Sequence, residues 1–265
     1  MKLRPLENKK IIVTGASSGI GERIVWHIAA SGGIPLLVAR STDKMKKQCE
    51  TIMQTFNTDC CYYTSDLSNT SEMERTIELI FQDHAKIDGL INNAGFGKFQ
   101  LVEDMSMQDV ENMFQVNVLS LIHFTKMLLP HFQQNQHGHI VNLASQAGKI
   151  STPKSAVYAA TKHAVIGFTN SLRMEIEKDN IFVTTVNLGP VDTNFFTQAD
   201  PDGYYKKSVS RYMLNPDRVA SKVSRHLFKQ KREINMPGWM EIGSRLYHLF
   251  PSVMENLLKS QFNKK

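Results

Sequence analysis

The chain has 265 residues, 42% hydrophobic and 21% charged, which suits one large soluble domain or two small ones and excludes a disordered chain. Its formal charge of +6 arises entirely from Lys222 to the end, where nine Lys and Arg stand against three Glu, so the residues before it are neutral overall. With no recognition helix, zinc-finger spacing or aromatic-basic stripe, nucleic acid is not an expected partner, and no apolar run reaches the roughly 18 residues of a membrane span.

In chain order, the apolar stretch within MKLRPLENKKIIVTG is too short for a secretory h-region and has no cleavage site, and KKIIVTG reads as a first strand ending in glycine. GIGERIVWHIAASG reads as a helix closing near Gly32, and GIPLLVAR as a second strand. A polar helix is predicted over Thr42 to Thr55, a strand at CCYYTSDL, a helix over Met73 to His84, and a fourth strand at IDGLINNAG. Val110 to Leu129 carries the spacing of one long helix, HGHIVNLAS reads as a fifth strand, Ala156 to Lys178 as a helix, and IFVTTVNLG as a sixth strand. Apolar strands alternating with helices predict an α/β fold: a Rossmann-type, doubly wound, mainly parallel sheet with helices on both faces. No linker or repeat interrupts it, so one domain is expected over residues 1–265.

Three cysteines, Cys49, Cys60 and Cys61, are too few and too clustered for a disulfide framework, which predicts free thiols and a cytoplasmic protein. His137 and His139 flank Gly138 and read as loop histidines at the surface; no metal set is found. Ser145 lies outside any GxSxG motif.

Two stretches carry chemistry. TGASSGIG, Thr14 to Gly21, follows a strand and opens a helix. Gly15, Gly19 and Gly21 permit a tight turn and close approach of a ligand, and the N–H groups at the helix start suit a pyrophosphate; a purely structural turn is the alternative. No Gly-Lys-Ser/Thr follows, so it is not a P-loop. YAATK sets the Tyr158 phenol and the Lys162 ammonium at i and i+4, where two side chains share a helix face. That pair by itself is usually a half-buried ring beside a solvated ammonium.

With TGASSGIG, NNAG at Asn92 to Gly95, Asn117, Ser145 and YAATK in this order, the chain resembles the classical short-chain dehydrogenase/reductase family over roughly Lys9 to Asp192. The resemblance implies reversible hydride transfer between a nicotinamide cofactor and a small-molecule carbonyl or alcohol. In it Tyr158 is the proton donor, Lys162 lowers the phenol's pKa and holds the nicotinamide ribose, Ser145 polarises the carbonyl, and Asn117 holds a relay water. It further implies cofactor contacts at Gly15, Ser17, Ser18, Gly19, Ile20 and Gly21 in the turn. Asp66 and Leu67 belong beside the adenine, and Asn92, Asn93, Ala94 and Gly95 past the ribose. Pro190, Val191 and Thr193 belong near the carboxamide, with Tyr158 and Lys162 completing the set. Two departures are visible: Leu188 stands where the family usually has proline, and Thr161 where serine is commoner. Arg40 and Ser41, with Ala39 in place of an acid, point to NADP(H) over NAD(H), NAD(H) remaining the alternative; Lys44 is not assigned. A catalytically weak nucleotide-binding regulatory or structural protein is the competing reading of the same scaffold.

Substrate choice is expected from a loop over about 193–215, where Phe195, Phe196, Tyr204, Tyr205, Tyr212 and Met213 suggest an apolar lid. A helical appendage over about 235–265 places Trp239, Ile242, Leu246 and Leu249 at helical intervals. It is expected to pack on protein within a homo-oligomer. Peripheral membrane contact aided by Lys229, Lys231, Arg232, Arg245 and Lys259 is the less favoured alternative.

Overall fold

The first strand, β1 (Lys10–Thr14), carries three consecutive buried apolar residues, Ile11, Ile12 and Val13, that face its two sides in turn. The computed structural model describes the backbone of residues 4–262 and the side chains up to residue 257, so the Lys259 side chain lies outside the described residues. Ile11 and Val13 enter one core and Ile12 the other, as a period of two requires when both sheet faces are covered. β1 is followed by α1 (Gly19–Ala30), β2 (Ile34–Ala39), α2 (Thr42–Phe56), β3 (Cys61–Thr64), α3 (Thr70–Asp83) and β4 (Gly89–Asn92). Then come α4 (Met107–Phe114), α5 (Ser120–Gln134), β5 (Gly138–Leu143), α6 (Ala156–Glu175) and β6 (Ile181–Leu188). The remainder is α7 (Phe195–Ala199), α8 (Tyr204–Val209), α9 (Pro216–Arg225), β7 (Glu233–Met236), α10 (Gly238–Leu249) and α11 (Pro251–Phe262).

The sheet runs β3-β2-β1-β4-β5-β6-β7 with every pairing parallel. On one face Ile24 and Ile28 of α1, Met45 and Ile52 of α2 and Val219 and Val223 of α9 form a core. On the other face Ile77 and Ile80 of α3, Phe124 and Leu128 of α5 and Leu172 of α6 do the same. Strand order reverses between β1 and β4, which opens a crevice at the carboxyl ends of the strands.

Several expectations need correction. The sheet has a seventh strand, β7, so Asn235 lies within the sheet and the helical appendage starts at Gly238. The helix expected over Val110 to Leu129 is instead α4 and α5 joined by a π turn at Gln115–Leu119. Cys49 of α2 is disulfide-bonded to Cys60, with Cα atoms 5.1 Å apart, and only Cys61 is free: the return of the chain from α2 to β3 brings the two within bridging range. No described helix is long and apolar enough to cross a membrane. The α10 and α11 stripe packs within the chain only in part: Trp239, Ile242, Leu246, Leu249, Val253 and Leu257 are exposed, and of these Trp239 meets the Tyr212 ring.

His139 is likewise no surface residue. It sits on β5, 1% exposed, where its Nδ1 accepts from the Phe228 N–H at 2.9 Å. Its Nε2–H therefore faces Thr184 Oγ1 at 2.9 Å, and that hydroxyl donates to the Lys231 carbonyl. Burial, with His137 nearby, depresses the His139 pKa to about 3. The folded value lies below the ordinary 6.5, so the unfolded chain binds the extra proton. The neutral ring's stabilising contribution is thus complete above pH 6.5 and is lost towards pH 3, by up to about 1.4 kcal/mol per pH unit. Urea unfolding measured across this window should show a shallower pH slope for His139→Gln than for the native chain. Equal slopes would show that another group takes up the proton.

Candidate active site

At the end of β1 the backbone turns sharply, with Gly15 at φ 64° and Gly19 at φ 59°, a region that side chains disfavour. A Cβ on Gly15 would come within 2.8 Å of the Ala94 backbone, and one on Gly21 would lie 2.3 Å from the Gly15 carbonyl oxygen. Asn93 braces this turn, its Nδ2 donating to the carbonyls of Thr14 and Gly15 at 2.9 and 3.1 Å. Ser18 caps α1 by position but makes no side-chain cap bond, which leaves the first N–H groups of the helix available to an anion.

Across the crevice, α6 carries Tyr158 and Lys162 on one face, with Lys162 Nζ 5.8 Å from the centre of the Tyr158 ring. Ser145, just beyond β5, donates to the Leu188 carbonyl at 3.3 Å, accepts from the Ala147 N–H at 3.1 Å, and shares a hydrogen bond with the Tyr158 phenol. Burial pushes the Tyr158 phenol up to about 12, against the pull of the Ser145 bond. Desolvation prevails, so the net shift is upward rather than the expected lowering, and the phenol is protonated at neutral pH. Burial also lowers Lys162 to about 8, and its ammonium donates to the Leu143 carbonyl at 3.0 Å.

Asn117 is presented by the π turn. Its Oδ1 accepts from the Phe96 N–H at 2.9 Å and its Nδ2 donates to the Phe96 carbonyl at 2.8 Å, so its carboxamide fixes the loop after β4. A Cβ on Gly95 would fall 3.0 Å from Asn117 Oδ1 and 3.6 Å from Lys162 Nζ, which places all three together.

These groups open onto one cavity of about 980 Å³. Ser17, Ser18, Gly19, Ile20, Arg40, Ser41, Asp66, Leu67, Asn93, Ala94, Gly95, Pro190, Val191 and Thr193 line it together with Gly15, Ser145, Tyr158 and Lys162. Gly21 and Asn117 do not; each stands one layer behind the wall. Asn92 is also absent from the wall, for it is held inside the sheet by Asn142 and Thr125. The Asp66 carboxylate accepts from the Ser68 N–H and hydroxyl, and these bonds, with Arg40 nearby, hold its pKa low against burial. Lys44 joins Arg40 on the wall, as does Ser65, a fully buried serine whose hydroxyl has no partner and suits a ligand's polar edge.

The other half of the cavity is aromatic. Phe99 lies against Tyr158, Phe195 and Tyr205 with ring centres 6.0, 6.3 and 5.2 Å apart. The Phe99 N–H donates to the Ala199 carbonyl at 2.9 Å, which ties the loop after β4 to the lid formed by α7 and α8. Of the lid residues, Phe195, Phe196, Tyr205 and Tyr212 line the cavity, whereas Tyr204 is 73% exposed and Met213 does not reach it. Sequence reasoning missed Phe96, Phe99, Ile150, Met240 and Met254, and did not assign Trp239 to this wall. Lys149 anchors α10 beside the site, its ammonium bridging Glu233 and Glu241 at 2.7 and 2.6 Å.

The sequence model of the family described as short chain dehydrogenase matches residues 9–203. An uncharacterised oxidoreductase of Staphylococcus saprophyticus is 33% identical over 229 residues, covering 83% of this chain and 89% of that protein. Among solved structures, an alcohol dehydrogenase of Thermococcus sibiricus complexed with 5-hydroxy-NADP matches with a TM-score of 0.77 and 26% identity, covering 87% of this chain and 96% of that one. The 3-ketoacyl-(acyl-carrier-protein) reductase of Brucella melitensis, complexed with NADH, matches with a TM-score of 0.78 and 26% identity over 87% and 97%.

Proposed function

Because the chain belongs to the short-chain dehydrogenase family, we propose that it is an NADP(H)-dependent oxidoreductase that reduces a carbonyl to an alcohol with Tyr158 as proton donor. The observation that carries this reading is a protonated phenol, bonded to Ser145 and four residues before the Lys162 ammonium, in the same cavity as a glycine turn. The residues fit a dinucleotide. The turn excludes side chains where a pyrophosphate would approach, the orphan Ser65 hydroxyl is an unmet polar group, and Arg40 and Lys44 supply cations where an adenosine ribose phosphate would sit.

NADPH, when bound, supplies the hydride that reduces the carbonyl carbon. Ser145 orients the carbonyl oxygen by hydrogen bonding, and Tyr158 gives that oxygen its phenolic proton as negative charge develops there. Lys162 holds the nicotinamide ribose, and its positive charge stabilises the phenolate left on Tyr158. A buried phenol near pKa 12 stays protonated at neutral pH, the state from which it donates.

Cofactor choice tests the reading. Competitive titration should show NADPH binding more tightly than NADH, and Arg40→Ala should weaken NADPH by about tenfold while sparing NADH. Equal affinities of the native chain for the two, or tighter NADH, would reject the NADP(H) assignment.

A further inference from the structure

The cavity's charged side chains are all on the cofactor side: Arg40, Lys44, Asp66 and Lys162. Among the described residues, none of the others lining it is Asp, Glu, Lys, Arg or His. The substrate wall is built mainly from Phe99, Ile150, Phe195, Tyr205, Val209 and Met240, with Thr152, Asn194, Gln198 and Ser208 among its uncharged polar members. An anionic substrate entering it would shed water and meet no cation beyond Lys162, already bonded to the Leu143 carbonyl.

One buried polar atom of a residue on this wall is unmet. Gln146, directly after Ser145, is 8% exposed, and its Oε1 has no hydrogen-bond partner. Its Nε2 donates to the Asn187 carbonyl at 3.5 Å, a contact the oxygen could not replace because two acceptors would then face each other. The amide orientation is thereby set, and the orphan is an acceptor. A buried acceptor left unpaired costs about 1–3 kcal/mol, so a ligand that donates to it gains selectively over one that cannot.

Resting on the carbonyl-reductase reading, we infer that the substrate is an uncharged, predominantly apolar carbonyl compound with one hydroxyl close to the carbonyl, and that Gln146 Oε1 accepts from that hydroxyl. Gln146 is then a specificity-determining residue. The apolar remainder of the substrate lies along the Phe99–Tyr205 side and reaches the mouth, where Tyr212 of the lid meets Trp239 of α10 with ring centres 5.7 Å apart.

Three ketones of matched length test this: undecan-2-one, 1-hydroxyundecan-2-one and 10-oxoundecanoate. Their dissociation constants are measured calorimetrically on the protein saturated with NADP+, so that binding is read without turnover. The expected order places 1-hydroxyundecan-2-one at least about fivefold tighter than undecan-2-one, and 10-oxoundecanoate at least about tenfold weaker than undecan-2-one. Gln146→Leu should erase the first difference and leave the second in place. Equal or tighter binding of 10-oxoundecanoate in the native protein overturns the uncharged class. Absence of the hydroxyl preference there overturns the role of Gln146, as does its survival in Gln146→Leu. The native series decides both points even if the variant does not fold. A parallel assay with NADPH separates the two readings. The predicted binding order without NADPH oxidation supports this inference and sinks the reductase assignment, whereas NADPH oxidation with the order reversed sinks this inference alone.

Discussion

Tyr158→Phe is expected to lower single-turnover hydride transfer by at least roughly 100-fold while leaving the cofactor dissociation constant unchanged. The substitution deletes one hydroxyl. The ring, with its edge contacts to Phe99 and Phe195, stays in place, so the wall of the cavity is preserved. What goes is the proposed proton donor and the bond to Ser145, which leaves the Ser145 hydroxyl with the Leu188 carbonyl and the Ala147 N–H. The reducible oxygen must then take its proton from water, without positioning. Because Tyr158 is protonated at neutral pH, the native rate should hold level through neutrality and fall only as pH approaches the phenol's range or passes that of Lys162, depressed to about 8. Stopped-flow oxidation of NADPH checks both points. Matching rates for the two proteins would remove Tyr158 from the chemistry.

What the sequence made legible was local. TGASSGIG and YAATK announce themselves because their function depends on backbone conformation or on a single helical turn, and both are properties of adjacent residues. Ser145 and Asn117 required the family's order of motifs, since their partners lie far along the chain: Leu188 for one, Phe96 and Thr161 for the other. The aromatic wall of the cavity was the least legible part. Phe99, Ile150, Trp239 and Met240 come from loops and helices without local periodicity that marks a pocket, and only the fold brings them together. β7 escaped because EINM offers two buried apolar positions, too few for a pattern, and gains its place from pairing with β6. His139 was misread for a related reason: a histidine beside glycine looks like loop, yet here it is neutral strand interior with both ring nitrogens engaged.

Gly21→Ala should weaken NADPH binding by at least about tenfold and destabilise the fold by roughly 1–3 kcal/mol, although Gly21 does not line the cavity. Two effects oppose each other. Alanine in the first turn of α1 favours the helix over glycine by about 0.5–1 kcal/mol. Against this, the new Cβ would lie 2.3 Å from the Gly15 carbonyl oxygen and 2.5 Å from Asn93 Nδ2. The first is backbone in the glycine turn and the second is the side chain bracing that turn, so neither gives way cheaply. Relief requires α1 to move away from the turn, which displaces the N–H groups proposed to hold the pyrophosphate. Gly167→Ala provides the contrast: Gly167 is in the interior of α6 with nothing within 4 Å of a built Cβ. There only the helix preference operates, and the protein should gain about 0.5–1 kcal/mol with unchanged cofactor affinity. Urea unfolding and NADPH titration on the two variants should therefore move in opposite directions for stability, with affinity lost in the first alone. A Gly21→Ala protein with native affinity would mean that the turn can yield without disturbing the anion site.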